Sequence, residues 1–380
     1  MRFLGFNGEW QRAFASEVLE TLSNNTLSRD CLNYVSGEMK NIHYGDVLVK
    51  FPTFLDANSP DVPFVNDGVA CKSDCLQNGD VVIADTAEDY EAGKALEIIG
   101  TEKTEVVAGL HTVPCRTRRK FATGYLGYYL NSKPYKTRLI PFIQGIKVYS
   151  VSRSNLLRTE IIFPSLEEQA KIASLFIAID KRISTQNKII KAYSSLMNPL
   201  FDRLHEGLLM EPTRLLDAAI IKKGEQINGD MMDDSNEFPM LNGGTTPSGF
   251  FAKSNRTKET IAISEGGNSC GYVSFMTTPF WAGGHCYTVH PASCGTVLNK
   301  YLFYSLKRWE KKIMSLRVGS GLPNIQKGDL GNFIINIPSK DDQEAITKTL
   351  DCINSKLQAE QKYLALFNRL KMFLLANMFI

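Results

Sequence analysis

Cysteine and histidine residues in the second half of the chain are the first whose types could bind a metal ion. They are Cys270, His285, Cys286 and Cys294, and a further pair, Cys71 and Cys75, lies in the first half. Structural zinc sites take their ligands from two closely spaced pairs of such residues, and neither set has that spacing. We therefore interpret these residues as core thiols and a core histidine, and we predict no metal site.

Motifs for catalysis begin in this sequence but are not completed. Gly93-Lys94 is followed by Ala95 and lacks the upstream glycine of a phosphate-binding loop. Pro60-Asp61 resembles the start of a nuclease site, but no Asp/Glu-x-Lys follows it within the first domain. Asn198-Pro199-Leu200-Phe201 is only superficially similar to an adenine-methylase motif. We predict that the chain is not an enzyme and uses no cofactor.

Basic side chains form short clusters that could neutralise DNA phosphates, a contact that positions a protein without reading sequence. For any single cluster, an ordinary solvated surface is the alternative interpretation. The candidates that we favour are Arg116, Arg118, Arg119 and Lys120 in the first half, and Lys253, Arg256 and Lys258 in the second.

Reading base edges in the major groove requires side chains that make paired hydrogen bonds, such as Arg, Asn, Gln or Ser. The same residue types also stabilise turns, so a turn role is equally open for each. The candidates for base reading are Asn242, Ser248, Asn268 and Arg317.

An internal repeat predicts the secondary-structure elements that must position the candidate DNA contacts. The sequence IFPSLEEQ at residues 162–169 returns 174 positions later as NIPSKDDQ at residues 336–343. Ser165 and Ser339 can each cap a helix, with an acid three residues later in the position of a capping box. The chain is therefore interpreted as a duplication in which each copy contains a helix start.

Apolar residues after each start fall on steps of three and four residues, which is typical of a coiled coil. Each predicted helix has one apolar stripe, so we predict that the two pair with each other. Gln186 and Glu360 occupy the same stripe position, either to fix the register or as a solvated end of the stripe. The stripe residues are Ile172, Phe176, Ile179, Ile183 and Ile190 in the first helix, and Ile346, Leu350, Ile353, Leu357 and Leu364 in the second.

The repeat continues upstream of each helix, where residues 108–111 align with residues 282–285 and Gly145 aligns with Gly319. Strand-like runs at residues 80–84 and 260–264, bounded by turn residues, predict mixed domains. The expected fold is α+β: two globular α/β domains separated by two long antiparallel coiled-coil helices, related by a pseudo-two-fold duplication. The expected boundaries are residues 1–163 and 208–337 for the domains, and 164–207 and 338–380 for the helices.

Composition argues against a disordered, collagen-like or membrane protein. Hydrophobic residues make up 43% of the 380 residues and charged residues 22%, which is typical of a globular chain. The 43 Lys and Arg residues exceed the 40 Asp and Glu residues by only three, so DNA binding would depend on local patches. Eight cysteines without a signal-like N-terminus or a membrane span indicate reduced thiols and a cytoplasmic location.

The order of domain, helix, domain and helix, with a Pro-Ser start to each helix, resembles the specificity-subunit family of Type I restriction-modification systems. Residues 238–249, 264–268 and 281–285 are similar to one common kind of target-recognition domain in that family. The first domain lacks the Asn-Gly-Gly run of residues 242–244, so the resemblance implies that it recognises a different half-site.

The resemblance further implies that each domain reads one half of a split sequence in double-stranded DNA. It implies that the helices set the distance between the two halves and dock two methyltransferase subunits, which restriction/translocase subunits then join. A helical scaffold whose domains bind proteins instead of DNA is the alternative. An independent nuclease is a third hypothesis, and the missing carboxylate-lysine set argues against it.

Overall fold

The computed structural model describes residues 1–228, 232–233, 235–293, 295–319 and 321–380. Its contacts divide the chain into two compact units. The first unit contains residues 1–188 and 362–380, and the second contains residues 189–361. Each unit therefore holds one globular domain and one segment of each long helix.

The first unit is built from short strands and short helices that precede one long helix. In chain order these are β1 (Gln11–Phe14), α1 (Ala15–Val18), β2 (Leu19–Thr21), β3 (Leu32–Asn33), β4 (Met39–Ile42), α2 (Tyr44–Val49), β5 (Phe54–Asp56), β6 (Phe64–Val65), β7 (Val81–Ala84), β8 (Thr86–Ala87), β9 (Ala95–Ile99), β10 (Glu105–Ala108), β11 (Thr112–Thr117), α3 (Tyr125–Leu130), α4 (Lys133–Leu139), β12 (Tyr149–Ser150), α5 (Arg153–Leu157), β13 (Glu160–Phe163) and the long helix α6 (Leu166–Leu204), whose last part lies in the second unit.

The second unit repeats this plan with fewer short elements. They are β14 (Glu211–Arg214), α7 (Leu215–Ala218), β15 (Ala219–Lys223), β16 (Phe238–Leu241), β17 (Gly249–Phe251), β18 (Thr260–Ser264), β19 (Val273–Met276), β20 (Trp281–Ala282), β21 (Cys286–Pro291), α8 (Asn299–Arg308), α9 (Glu310–Met314), α10 (Lys327–Gly331), β22 (Ile334–Ile337) and the long helix α11 (Lys340–Asn377), whose last part lies in the first unit.

Central sheets of similar order organise the two domains. The first sheet has the order β2-β11-β7-β9-β5, and the corresponding sheet of the second unit has the order β15-β21-β18-β19. The predicted strand runs are confirmed as β7 and β18, and every residue of both strands is buried. Continuous apolar strands of this kind are expected where both faces of a sheet are covered.

The long helices begin where the repeat predicts, directly after Ser165 and Ser339. Each serine Oγ accepts a hydrogen bond from the backbone N–H three residues later, at 3.4 and 3.2 Å. The acid of the predicted capping box binds another group in each copy: the Glu168 carboxylate binds the Arg2 guanidinium at 2.7 Å, and the Asp342 carboxylate accepts from the Ser339 hydroxyl at 2.6 Å. Pro199 lies inside α6, and the helix continues to Leu204.

A buried glutamine fixes each long helix to its own domain. The Oε1 atom of Gln169 accepts from the Ala122 N–H at 3.0 Å, and its Nε2 donates to the Pro164 carbonyl at 2.8 Å. Gln343 makes the same pair of contacts, from the Leu298 N–H at 2.8 Å and to the Pro338 carbonyl at 3.0 Å. The repeat seen in the sequence is therefore a repeat of contacts.

A tyrosine–aspartate hydrogen bond also joins each domain to its long helix, although the two aspartates stand 171 rather than 174 positions apart. The Tyr128 hydroxyl donates to Asp180 on α6 at 2.8 Å, and the Tyr304 hydroxyl donates to Asp351 on α11 at 2.6 Å. The pKa of Tyr128 is raised by burial and by the nearby Asp180 carboxylate. Each domain therefore holds its helix through a glutamine and a tyrosine contact.

In the first unit the end of α11 returns beside the start of α6. Phe379 packs on Phe176 with ring centroids 5.7 Å apart, and Lys371 binds Asp180 at 2.6 Å. The chain positions rise along α6 as they fall along α11, so the two segments run antiparallel. Phe379, two residues after α11, is 5% exposed and also contacts Tyr125 and Tyr129, so the segment that follows α11 is part of the core.

A buried carboxylate holds the start of α3 against the central sheet. The side chain of Glu97 on β9 accepts from the Gly124 N–H at 2.6 Å and from the Gly127 N–H at 3.0 Å. Burial raises the pKa of Glu97 to about 7, although the two backbone donors act in the opposite direction. Between pH 4.5 and about pH 7, the Glu97 carboxyl of the folded first unit therefore keeps a proton that an exposed glutamate would lose.

Candidate nucleic-acid interface

In each central sheet one strand, β7 or β18, is followed directly by an acidic residue, and two other segments of the chain meet at that residue. The Asp85 N–H after β7 donates to the His111 carbonyl at 3.1 Å, and the Glu265 N–H after β18 donates to the His285 carbonyl at 2.9 Å. The carbonyl of each acid then accepts a hydrogen bond at 2.9 Å, from Val151 N–H in the first unit and from Ile325 N–H in the second.

A short hairpin precedes the last of these residues in both units. Gln144 and Ser150 exchange backbone hydrogen bonds at 2.8 and 2.7 Å, and Val318 and Asn324 do so at 2.8 and 3.0 Å. We call residues 85–86, 109–111 and 144–150 the first loop cluster. The second loop cluster comprises residues 242–248, 264–269, 283–285, 317–319 and 321–324.

The Asn-Gly-Gly run is held tightly within the second loop cluster. The Gly243 carbonyl accepts from the Ser264 hydroxyl at 2.6 Å and from the Ser269 hydroxyl at 2.7 Å. Gly243 has a φ of +85°, and a Cβ atom there would lie 3.1 Å from the His285 Cβ. Only glycine is comfortable in that conformation, so the run packs one loop directly against another.

The four candidates for base reading all lie in the second loop cluster. Asn242 and Ser248 stand at the two ends of the turn between β16 and β17, and Asn242 Oδ1 accepts from the His285 N–H at 3.1 Å. Asn268 and Arg317 are exposed. Asn268 follows Gly267, whose N–H donates to the Pro323 carbonyl at 2.9 Å beside the hairpin.

The basic candidates of the second unit lie in the segment between β17 and β18, and Lys258 stands two residues before the end of β18 that is opposite the second loop cluster. Lys253 and Lys258 are exposed. Arg256 is engaged inside the domain, because its side chain is 14% exposed and lies 3.7 Å from Glu225. Its guanidinium also donates to the Thr288 hydroxyl at 3.0 Å and to the Lys223 carbonyl at 3.0 Å.

The basic candidates of the first unit follow the same pattern at the end of β11. Arg116 donates to the Asp80 carboxylate at 2.7 Å, and its side chain is 27% exposed. Arg118 lies 3.9 Å from a Glu20 carboxylate oxygen, and both side chains are about half exposed. Arg119 stacks over Phe163 at 5.9 Å, and Lys120 is exposed. The first-unit candidates and Lys258 therefore lie at strand ends opposite the loop clusters.

Three exposed cations beside the loop clusters were not among the sequence-based candidates. Lys147 lies on the first hairpin. Arg153 and Lys327 stand 174 positions apart. Each follows by two residues the residue, Val151 or Ile325, whose N–H donates to the carbonyl of the acid. The repeat offset could have identified this last pair, but only the hydrogen bonds place it beside a strand end.

The stripe residues of the long helices are used in two ways. Near each helix start they pack into the domain core: Ile172, Phe176 and Ile179 are at most 6% exposed, and Ile346 and Leu350 at most 2%. The later stripe residues are only half-buried, and they are Ile183, Ile190, Ile353, Leu357 and Leu364. Gln186 is buried and Glu360 half-buried on the same stripe.

The thiols of the second unit are enclosed by apolar neighbours. Cys270 and Cys286 are buried, and burial raises the pKa of Cys286 to about 12. Cys294 lies outside the described residues. Among the residues that the structure describes, no group of three or more His, Cys, Asp or Glu side chains could hold a metal ion. In the same ranges, no helix is both long and apolar enough to cross a membrane.

A family model for the Type I restriction modification DNA specificity domain matches the second domain and most of α11. The matched segment is residues 209–366. Over 139 residues, the chain is 32% identical to a protein of Mycoplasma genitalium and 31% identical to one of Mycoplasma pneumoniae, both named as type I specificity subunits. The matches cover 36% of this chain, which spans only 36% and 37% of the lengths of those relatives.

Solved structures extend the likeness of fold to the whole chain. The crystal structure of a Type I restriction-modification S subunit from M. genitalium has a TM-score of 0.68 at 17% identity, covering 100% of this chain and 97% of that one. A structure concerning assembly and conformational transition of the type I system has a TM-score of 0.56 at 18% identity and covers 98% of both chains. The predicted fold class, two mixed domains with two long helices, is confirmed.

Proposed function

We propose that this chain is the DNA-specificity subunit of a cytoplasmic Type I restriction-modification complex. The observation that carries the proposal is that the specificity-subunit fold extends over the whole chain, while residues 209–366 match the DNA-specificity family. In this proposal the chain is not catalytic, and its task is to choose the DNA sequence that partner subunits modify.

Each globular domain is proposed to be a target-recognition domain, with residues 1–163 and 208–337 reading different halves of a split sequence. The loop clusters supply this difference, because the second contains the Asn-Gly-Gly run and the first does not. Asn242, Ser248, Asn268 and Arg317 are the proposed base contacts. Exposed Lys120, Lys253 and Lys258, with the partly exposed Arg116, Arg118 and Arg119, are the proposed phosphate contacts; Arg256 would support them from inside the domain.

The helices, at residues 164–207 and 338–380, are proposed to act as spacers. With 39 residues in α6 and 38 in α11, each is about 57 Å long at about 1.5 Å per residue. One turn of DNA is about 34 Å long. Helices of that length are sufficient to hold two domains over separated groove segments.

The same helices are proposed to dock two methyltransferase subunits, and restriction/translocase subunits would join that core. A second apolar stripe on α11, made of other residues than the stripe described above, supports this role. Its residues are 44–55% exposed and recur every three or four positions. Exposed apolar stripes with this spacing are typical of a helix that receives partner helices. The stripe comprises Tyr363, Leu366, Leu370 and Phe373.

Co-expression with a neighbouring methyltransferase gene, followed by methylation-aware sequencing of the host genome, tests the proposal. We expect methylated adenines in one motif made of two short half-sites around a fixed spacer. Deleting residues 1–163 should abolish that motif, as should deleting the whole gene. An unchanged methylation pattern after gene deletion would contradict the proposal.

Salt-dependent gel shifts distinguish this function from a protein-binding scaffold. A complex of this chain with methyltransferase subunits should bind the motif duplex more tightly than an unrelated duplex, and more weakly as salt rises. The scaffold alternative predicts no specific affinity for DNA even when the partners are present.

A further inference from the structure

A histidine faces a carboxylate at the equivalent position of each loop cluster. His111 Nδ1 lies 3.5 Å from Asp85 Oδ1, and His285 Nδ1 lies 3.8 Å from Glu265 Oε2. The histidines stand 174 positions apart and hold the same backbone hydrogen bond, whereas the surrounding loops differ in length and sequence. The pair is therefore one feature that both domains keep.

The carboxylates are more enclosed than the imidazoles. The Asp85 and Glu265 side chains are 27% and 10% exposed, and the His111 and His285 side chains are 47% and 63% exposed. Each acid thus lies beneath a histidine that faces solvent. This arrangement presents a nitrogen donor at the surface of the domain, at the place where the loops meet.

One carboxylate oxygen has no hydrogen-bond partner within the described structure. Glu265 Oε1 accepts from Lys223 Nζ at 2.7 Å and from the Tyr287 hydroxyl at 3.0 Å, whereas Oε2 is buried without a partner. A buried oxygen of this kind needs a donor. His285 Nδ1 is the imidazole nitrogen that faces it.

Fold stability alone does not account for the pair. Exposed ion pairs contribute little to stability, and the two histidines are among the more exposed side chains in their clusters. His111 also adopts a φ of +54°, a left-handed conformation that is uncommon for a residue with a side chain.

A cation accompanies the histidine in both units. Arg153 donates to the Asn24 side chain, which donates to the Gly109 carbonyl at 3.1 Å, two residues before His111. In the second unit, the Lys327 backbone lies beside the Tyr287 hydroxyl that binds Glu265. Both cations are exposed, so each adds positive charge on the segment that bonds the acid.

We propose that His111 and His285 are equivalent DNA-backbone contacts, each donating from Nε2 to a phosphate oxygen of its own half-site. This inference rests on the proposed function. In a protonated imidazole both nitrogens donate, so Nδ1–H faces the carboxylate and Nε2–H faces the phosphate. The same contact recurs in domains with different loops, as expected for a contact to phosphate, which every DNA sequence presents.

The test uses the complex with methyltransferase subunits and two duplexes, one with the methylated motif and one of unrelated sequence. His111→Asn and His285→Asn should each weaken binding about ten- to a hundredfold, as for the loss of one charge-assisted hydrogen bond. The loss should be equal on both duplexes, and each variant should reduce the slope of log affinity against log salt by about one. The methylated motif should stay the same.

Two further variants separate contact from structure. His285→Arg should restore affinity, because arginine also donates to phosphate. His290→Asn is the matched control, since His290 lies at the other end of β21, where its ring is half-buried beside Thr260 at 3.3 Å. This control should bind DNA like the unsubstituted complex.

The outcomes distinguish the inference from the proposed function. Unchanged affinity in both Asn variants, or an altered methylation motif, overturns the phosphate assignment and leaves the specificity function standing. Loss of affinity that His285→Arg does not restore also overturns it. If the unsubstituted complex binds neither duplex, the proposed function itself fails.

Discussion

Replacing Gln343 with alanine tests how each long helix is joined to its domain. Gln343 is fully buried, with 0% of its surface exposed. Its side chain accepts from the Leu298 N–H at 2.8 Å and donates to the Thr296 and Pro338 carbonyls at 2.9 and 3.0 Å. These bonds connect the first turn of α11 to the residue that caps α8.

The expected loss follows from the groups that would be left without a partner. Alanine removes all three hydrogen bonds, and a buried donor or acceptor without a partner costs about 1–3 kcal/mol. The carbonyls lose less than the N–H group, because each has a second lone pair. We expect a decrease of about 3 kcal/mol in the free energy of unfolding of the second unit, or roughly a hundredfold in its opening equilibrium.

Hydrogen-deuterium exchange is the assay, because it reports each unit separately where unfolding of a two-unit chain is not two-state. Protection should fall most at the Leu298 amide and in the first turn of α8. Glu344→Ala is the matched control, since Glu344 is the next residue and is exposed. If Gln343→Ala exchanges like Glu344→Ala, the glutamine is not the anchor that its contacts indicate.

Three further predictions concern single side chains. Tyr304→Phe should destabilise the second unit by about 1.5 kcal/mol, because the hydrogen bond to Asp351 is lost while the lysine bond to that carboxylate stays. Unchanged hydrogen-deuterium exchange in that unit would contradict this. Phe379→Ala should lower the free energy of unfolding of the first unit by about 3–5 kcal/mol, whereas Phe373→Ala, at a 52% exposed position, should lower it by about 0.5 kcal/mol or less. Equal losses would show that the segment after α11 is not part of the core. Glu97 has a pKa of about 7 in the folded unit against an ordinary 4.5, so between these pH values the folded first unit holds a proton that the unfolded chain has lost, and its stability should fall by about 3 kcal/mol from pH 4.5 to pH 7. If Glu97→Gln shows the same fall in stability with pH, Glu97 is not its cause.

The helices and the duplication could be read from the sequence because they depend on local patterns. A capping serine, an apolar stripe and a repeated glutamine are all visible within about 40 residues, and both long helices begin where these signals lie. The strands β7 and β18 were also predictable, since each is a short apolar run between turn residues.

The candidate DNA contacts were less predictable, because charge in a sequence does not reveal what a side chain touches. Arg256 belongs to a basic cluster in the sequence, yet its guanidinium is engaged by groups that lie 30 or more positions away along the chain. His285 differs from its sequence-based interpretation in the other direction: the sequence predicts a core histidine, but its side chain is 63% exposed.

By itself the sequence determined the order of domain and helix, the duplication and the helix starts, because caps and apolar periodicity act between near neighbours. Tertiary structure decided which polar residues share a surface. Asp85 and His111 are 26 positions apart and Glu265 and His285 only 20, so the repeat offset aligns the histidines but not the acids. Antiparallel pairing of β7 with β11, and of β18 with β21, is what brings each acid to its histidine.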